Sequence, residues 1–263
     1  MNLAGQRVLL TGATGGLGSA IARRMAAAGA DLLLTGRRVD VLEPLAAELG
    51  AQFLAADLAD RTAVGRLVVA AREVDVLVAN AAVPASGRLV TYSAEQIDRA
   101  LDVNLRAPIV LAHALTPGMV ARGRGHVVFV SSIAGKTASG GTSLYNATKY
   151  GLRGLSLALR AELRTHGVGV SAIFPGFIRD AGMFADTAIK LPPGTGTRRP
   201  EQVAAAVVRA VEHDKAEIDV APLLLRVGAV LGGIVPELVE RASRIGGAED
   251  IALEFERAQI HKR

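Results

Sequence analysis

The chain has no cysteine, no tryptophan, and only three tyrosines and six phenylalanines among 263 residues. Without cysteine there can be no disulfide, no thiol nucleophile and no sulfur-ligated metal centre. The five histidines, His113, His126, His166, His213 and His261, lack the short spacings of metal ligands. They are expected at the surface or at helix ends, and no metal site is expected. No apolar run reaches the roughly 20 residues that a membrane-spanning helix needs. The longest, residues 222–235, is interrupted by Arg226. The first residues, Met1 to Gln6, lack the basic and apolar blocks of an export signal, so the cytoplasm is the expected location. Dense basic runs interleaved with aromatics are also missing. The net charge of +5 comes from arginines dispersed among acidic residues, which argues against nucleic acid as a partner. Such an excess suits attraction of a phosphorylated small molecule better.

Apolar residues, by contrast, are plentiful: at 50% of the chain they are ample for the core of one domain over residues 1–263. Short apolar runs at residues 8–10, 31–35, 52–55, 74–79, 126–131, 169–173 and 217–220 alternate with helical stretches. Their hydrophobicity is nearly continuous, as in strands covered on both faces. The pattern predicts an α/β fold, a doubly wound seven-stranded parallel sheet. Ser93 with Gln96 reads as a capping box, and Pro200 as the first-turn proline of a helix over 201–213.

Two motifs carry chemistry. Residues 7–10 lead into Thr11-Gly12-Ala13-Thr14-Gly15-Gly16-Leu17-Gly18, followed by an alanine-rich helical stretch from Ser19 to Ala28. A strand, a glycine turn and a helix N-terminus make a site for a pyrophosphate, because free N–H groups and the helix dipole face the anion. Further on, Tyr145 and Lys149 are one helical turn apart on the same face, with Ser132 thirteen residues upstream of the tyrosine. An ammonium beside a phenol favours the phenolate, so Lys149 is expected to bring Tyr145 toward working pH, while Ser132 holds a substrate oxygen. After the second predicted strand, Thr35-Gly36-Arg37-Arg38 offers guanidiniums and no carboxylate. At a ribose site, these favour a 2′-phosphate over a bare hydroxyl.

Together these residues resemble the short-chain dehydrogenase/reductase family, over roughly residues 5–222. The family's glycine motif falls on Thr11, Gly12, Gly16 and Gly18, and its adenine-contacting aspartate on Asp57, next to Leu58. Its Asn-Ala-Gly element falls on Asn80-Ala81-Ala82, its helix asparagine on Asn104, and its Ser-Tyr-Lys set on Ser132, Tyr145 and Lys149. Its Pro-Gly turn falls on Pro175-Gly176. The resemblance implies a Rossmann fold and NADP(H) as cofactor, with NAD(H) less favoured. It implies cofactor contacts from Gly12, Thr14, Gly16, Leu17, Gly18, Arg37, Asp57, Leu58, Asn80, Tyr145, Lys149, Pro175, Gly176 and Ile178. It further implies hydride transfer to or from a carbonyl or alcohol, with Asn104 holding a water that links Lys149 to solvent. Two positions depart from the pattern. Ala82 replaces the family's glycine. Asp180 replaces a threonine that helps hold the carboxamide, and a carboxylate can accept but not donate there.

Residues 176–199, with Phe177, Ile178, Met183, Phe184, Ile189 and Leu191, form a long loop with an apolar side; the family resemblance implies that it is a lid covering the small-molecule substrate, which is then expected to be nonpolar. The extension 223–263 reads as packing on the core or on a second subunit, with peripheral membrane contact the alternative. Small residues at Gly151, Gly154, Ser156 and Ala158 suit close helix approach in a homo-oligomer, a dimer or tetramer. A related epimerase or dehydratase, and a non-catalytic dinucleotide sensor, are the competing functional classes.

Overall fold

The computed structural model describes residues 1–182 and 195–235, together with 237, 254 and 256–258. Seven parallel strands form one sheet in the order β3-β2-β1-β4-β5-β6-β7. They are β1 (Arg7–Thr11), β2 (Asp31–Gly36), β3 (Gln52–Ala55), β4 (Val76–Ala79), β5 (Gly125–Val130), β6 (Val168–Pro175) and β7 (Glu217–Val220). This is the doubly wound α/β architecture expected. All residues of β4 and β5 are buried, as the uninterrupted apolar runs required. Along β1, Val8 and Leu10 join one core layer and Leu9 the other, the two-residue alternation of a strand covered on both sides.

The layers are made by α1 (Gly16–Ala27), α2 (Val39–Leu49), α3 (Arg61–Ala70), α4 (Ala94–Leu101), α5 (Ala107–Ala121), α6 (Ser143–Leu163), α7 (Pro200–Glu212) and α8 (Leu223–Ile234). The Ser93–Gln96 capping box forms as expected, satisfying two orphan backbone donors at the start of α4. Pro200 opens α7, where its missing N–H costs nothing. Between α4 and α5 the chain makes a π-turn, Asp102–Arg106, with Ala107 N–H bonded to the Asp102 carbonyl five residues back. Residue 108 is a proline, so the carbonyl of Asn104 has no α-helical donor four residues on.

One expectation needs correction. His126 is not at the surface: it lies inside β5 at 2% exposure, with Nε2 2.7 Å from Ser171 Oγ. The apolar run 126–131 already pointed to a strand covered on both faces, and β6 with the turn carrying Asp214 closes over the ring. Along α8, Ala229 is buried and Leu225 faces the large cleft described below, while Leu223, Leu224, Val227, Val230, Leu231 and Ile234 remain exposed.

The base of the predicted lid is pinned. Arg179 N–H bonds to Arg198 O and Arg198 N–H to Phe177 O, so residues 177–179 and 198 run side by side. Met183, Phe184, Ile189 and Leu191 lie outside the described residues, as does most of the tail. Glu256, however, is buried against residues 88–91, accepting from Arg88 N–H at 3.3 Å and from the Thr91 hydroxyl at 2.7 Å. This places one point of the tail on its own chain.

Candidate active site

The sheet order reverses between β1 and β4, and a cleft of about 980 Å³ opens over the carboxyl ends of the central strands. Of the catalytic and cofactor-contacting candidates named from the sequence, all but Asn104 line it; Thr11 of the glycine motif lies behind the wall. At one end lies the glycine turn. Gly12 has φ +70°, and a Cβ there would stand 2.7 Å from Ala81 Cα. A Cβ on Gly18 would stand 2.0 Å from the Gly12 carbonyl oxygen, so only glycine lets α1 begin this close to β1. Thr11 and Asn80 lock the turn to the end of β4. Thr11 Oγ1 accepts from the N–H groups of Asn80 and Ala81 at 3.0 Å each, and Asn80 Nδ2 donates to Thr11 O at 3.0 Å. In the same wall, Thr35 Oγ1 is buried without a hydrogen-bond partner among the described residues.

Arg37 and Arg38 behave differently. The Arg38 guanidinium donates to the Thr14 carbonyl and so clamps the glycine turn. Arg37 is exposed on the cleft and makes no hydrogen bond or ion pair among the described residues. Asp57 accepts from Ala59 N–H at 3.1 Å and from Arg99 Nη2 at 3.0 Å. Burial works to raise its carboxyl pKa, but the bonds from Ala59 and Arg99 outweigh this and hold it below the ordinary value. Arg99, on α4, is a site residue that the sequence did not reveal. It is forty-two positions from Asp57, and nothing in its local pattern marks it. The open glycine turn, the unpaired Arg37 and the orphaned Thr35 hydroxyl fit a phosphorylated dinucleotide.

At the other end, Ser132 at the tip of β5 meets Tyr145 and Lys149 of α6. The Ser132 hydroxyl accepts from Ala134 N–H at 3.2 Å, reaches Pro175 O at 3.5 Å, and favours the ionised form of the Tyr145 phenol. Lys149 is 2% exposed, donates to Val130 O at 3.1 Å and lies 5.6 Å from the Tyr145 ring centroid. Burial lowers its pKa to about 8. Burial also pushes the Tyr145 phenol above its ordinary value, with the Ser132 bond opposing it. The depression of Tyr145 expected from Lys149 is thus reversed in the folded chain. Desolvation acts on both groups and discourages charge on either.

Asn104 is fully buried, and both ends of its side-chain amide are engaged by Val83. Oδ1 accepts from Val83 N–H at 2.7 Å and Nδ2 donates to Val83 O at 3.0 Å. It braces the chain that follows Asn80 rather than facing the cleft. Asp180 does line the cleft, in a left-handed conformation at φ +68°, with Arg179 at 3.6 Å. Beyond Tyr145 the wall mixes apolar Pro84, Ile133, Phe177 and Leu225 with the hydroxyl residues Ser86, Thr137, Ser139 and Thr142.

Residues 6–190 match the family model described as short chain dehydrogenase, about seven-tenths of the chain. The chain belongs to the short-chain dehydrogenase family. Among curated relatives, a protein named ketoacyl reductase HetN from Nostoc sp. is 33% identical over 262 residues, covering 94% of this chain and 91% of that protein. A 3-oxoacyl-[acyl-carrier-protein] reductase from Rickettsia bellii is 31% identical, covering 79% and 89%. Among solved structures, a short-chain dehydrogenase from Sphingobium yanoikuyae in complex with NADPH superposes with a TM-score of 0.77 at 30% identity, covering 89% and 95%. Members of this family are NAD(P)-dependent enzymes, and this chain is one of them.

Proposed function

We propose that this dehydrogenase uses NADP(H) to interconvert a carbonyl and a secondary alcohol on a nonpolar substrate, with Tyr145 as general acid and base. The observation that carries this reading is one cleft holding two complementary ends: a glycine turn beside an unpaired Arg37, and a Ser132–Tyr145–Lys149 cluster. Gly12, Gly16 and Gly18 would admit the pyrophosphate, Asp57 the adenine, and Arg37 a 2′-phosphate. Bound at the cluster, the nicotinamide supplies or accepts the hydride.

The chain's own residues then manage the proton. Ser132 donates to the substrate oxygen and fixes its position. Burial keeps the Tyr145 phenol protonated at neutral pH, which suits proton donation to a carbonyl oxygen that gains negative charge. Lys149, with a pKa of about 8, is poised to replace that proton or to stabilise the phenolate left behind. With its side chain engaged by Val83, Asn104 would hold a relay water only through its main-chain carbonyl, for which Pro108 supplies no competing N–H. Pro84, Ile133, Phe177 and Leu225 favour an apolar substrate body. Names among the relatives include ketoacyl reductases, which makes 3-oxoacyl thioesters the first class to test.

The test is turnover, followed at the nicotinamide absorbance, of 3-oxoacyl thioesters, aryl and alkyl ketones and secondary alcohols, with NADPH and NADH in parallel. Faster reduction of at least one carbonyl with NADPH than with NADH is the expected result. Tight NADPH binding without turnover of any substrate would favour a dinucleotide sensor instead.

A further inference from the structure

A partly buried ionic cluster lies behind the proposed catalytic serine, and the proposed chemistry does not use it. Lys136 follows Ser132 by four residues, and its side chain is only 10% exposed. Its ammonium is 2.6 Å from Asp219 Oδ1, 2.8 Å from Glu217 Oε2 and 4.1 Å from the centre of the Phe174 ring. Both carboxylates belong to β7, the edge strand, more than eighty residues away in sequence. The same carboxylates take two further cations. Arg153 Nε lies 2.8 Å from Glu217, and Arg226 Nε lies 3.8 Å from Asp219. Burial works to raise the Glu217 carboxyl pKa, yet bonds from Arg153 and Lys136 outweigh it and hold the group ionised.

Each cation belongs to a segment that contributes other residues to the cleft wall, although none of the three lines it. Lys136 ends the segment that begins with Ser132. Arg153 is one helical turn beyond Lys149 and two beyond Tyr145, on the same face of α6. Arg226 is next to Leu225, which lines the cleft from α8. A buried ion cluster is weak evidence of stabilisation, since apolar residues of similar volume often serve as well. What an ionic cluster adds is directionality: each charge must meet a partner at one distance and angle.

Building on the function proposed above, we propose that Lys136 is a positioning residue, which anchors the Ser132 segment to β7 and sets the distance between the Ser132 hydroxyl and the Tyr145 phenol. The segment has a second anchor, Asn146, whose Nδ2 donates to Ala134 O at 2.6 Å and to Thr137 O at 2.8 Å. Loss of Lys136 therefore leaves the segment folded, still held by Asn146 and by the bond from Ser132 to Pro175 O, but without its anchor on β7.

Lys136→Met, which keeps length and removes charge, tests this. The expected result is NADPH affinity within about twofold of wild type, with kcat lowered about 10- to 100-fold, as displacements under an ångström can cause. KM should change less than kcat. The phenol of Tyr145, followed through ring-labelled tyrosine and assigned with Tyr145→Phe, should titrate at higher pH, because Ser132 no longer opposes the effect of burial. Lys136→Arg should restore part of the rate. Unchanged kcat and an unchanged phenol titration, with only a lower Tm, would overturn the proposal and leave Lys136 a structural residue. Should Lys136→Met fail to fold, Asp219→Asn removes one of its two carboxylates and is judged by the same readouts. A wild-type protein that turns over no carbonyl would defeat the functional reading, while the phenol titration would still decide the positioning claim.

Discussion

Tyr145, Arg37 and His126 each carry a consequence that one substitution exposes. Tyr145→Phe keeps the ring and its packing against the core but removes the proposed proton donor. Turnover should fall by about 10²–10⁴-fold, the usual worth of general acid catalysis, while NADPH binding measured by fluorescence stays nearly intact. Rates close to wild type would remove Tyr145 from the mechanism. Arg37→Ala should weaken NADPH by about 1.5–3 kcal/mol, the range for a charged hydrogen bond, and leave NADH almost unchanged. Arg38→Ala should weaken both cofactors alike, because Arg38 grips the Thr14 carbonyl of the shared glycine turn. Isothermal titration with the two cofactors separates these cases.

His126 predicts a pH dependence of stability. Its folded pKa is about 4, lowered first by burial, against an ordinary value of 6.5. The unfolded chain therefore binds a proton that the folded chain refuses between those values, and this favours unfolding. The contribution is fully present above pH 6.5 and is lost as pH falls toward 4. At about 1.4 kcal/mol per unit it amounts to roughly 3 kcal/mol. Thermal melts between pH 7 and 4.5 should show a steep fall in Tm for the wild type and a shallower one for His126→Asn. Parallel curves would count against the assignment.

At the level of elements, the glycine turn is the sharpest test of how β1 passes into α1. A Cβ at Gly18 would collide with the Gly12 carbonyl, which is backbone and cannot swing away. Gly18→Ala should therefore displace the start of α1, lowering both Tm and cofactor affinity. At Gly15, φ is −79° and a Cβ would rest 3.5 Å from the Gly12 oxygen, an ordinary contact. Gly15→Ala should keep the wild-type Tm within error. Circular dichroism melts of the pair decide whether close packing, rather than glycine content, is what the turn requires. Helix α6 shows how far a local pattern can be read. Four-residue spacing put Tyr145 and Lys149 on one face, as the cleft requires. The row of small residues, read as one outer face, divides instead. Gly151 abuts Leu105 and Ser156 is buried, while Gly154 and Ala158 face outward beside Tyr150 and Leu157.

For the whole molecule, the outward stripe Tyr150, Gly154, Leu157 and Ala158 is the proposed contact between copies of this chain. Light scattering at micromolar concentration should give a dimer or tetramer, and a monomer of 27.2 kDa would refute it. Gly154→Arg should shift the assembly toward monomer without unfolding α6, because arginine is a better helix former than glycine and, among the described residues, no atom outside the local helix backbone lies within 4 Å of the added Cβ. The sequence by itself determined whatever repeats over a few residues: uninterrupted apolar strands, caps, the glycine turn, and Tyr145 above Lys149. These follow from periodicities of two and 3.6 residues and from backbone freedom, which are local. Only the tertiary structure decided what depends on strands and helices distant in sequence meeting side by side. It joined Arg99 to Asp57, gathered Lys136, Arg153 and Arg226 on the two acids of β7, and sealed His126 inside β5. It also turned Tyr145 toward a raised pKa, because desolvation depends on everything packed around a group, whereas spacing along the chain records only its nearest neighbours.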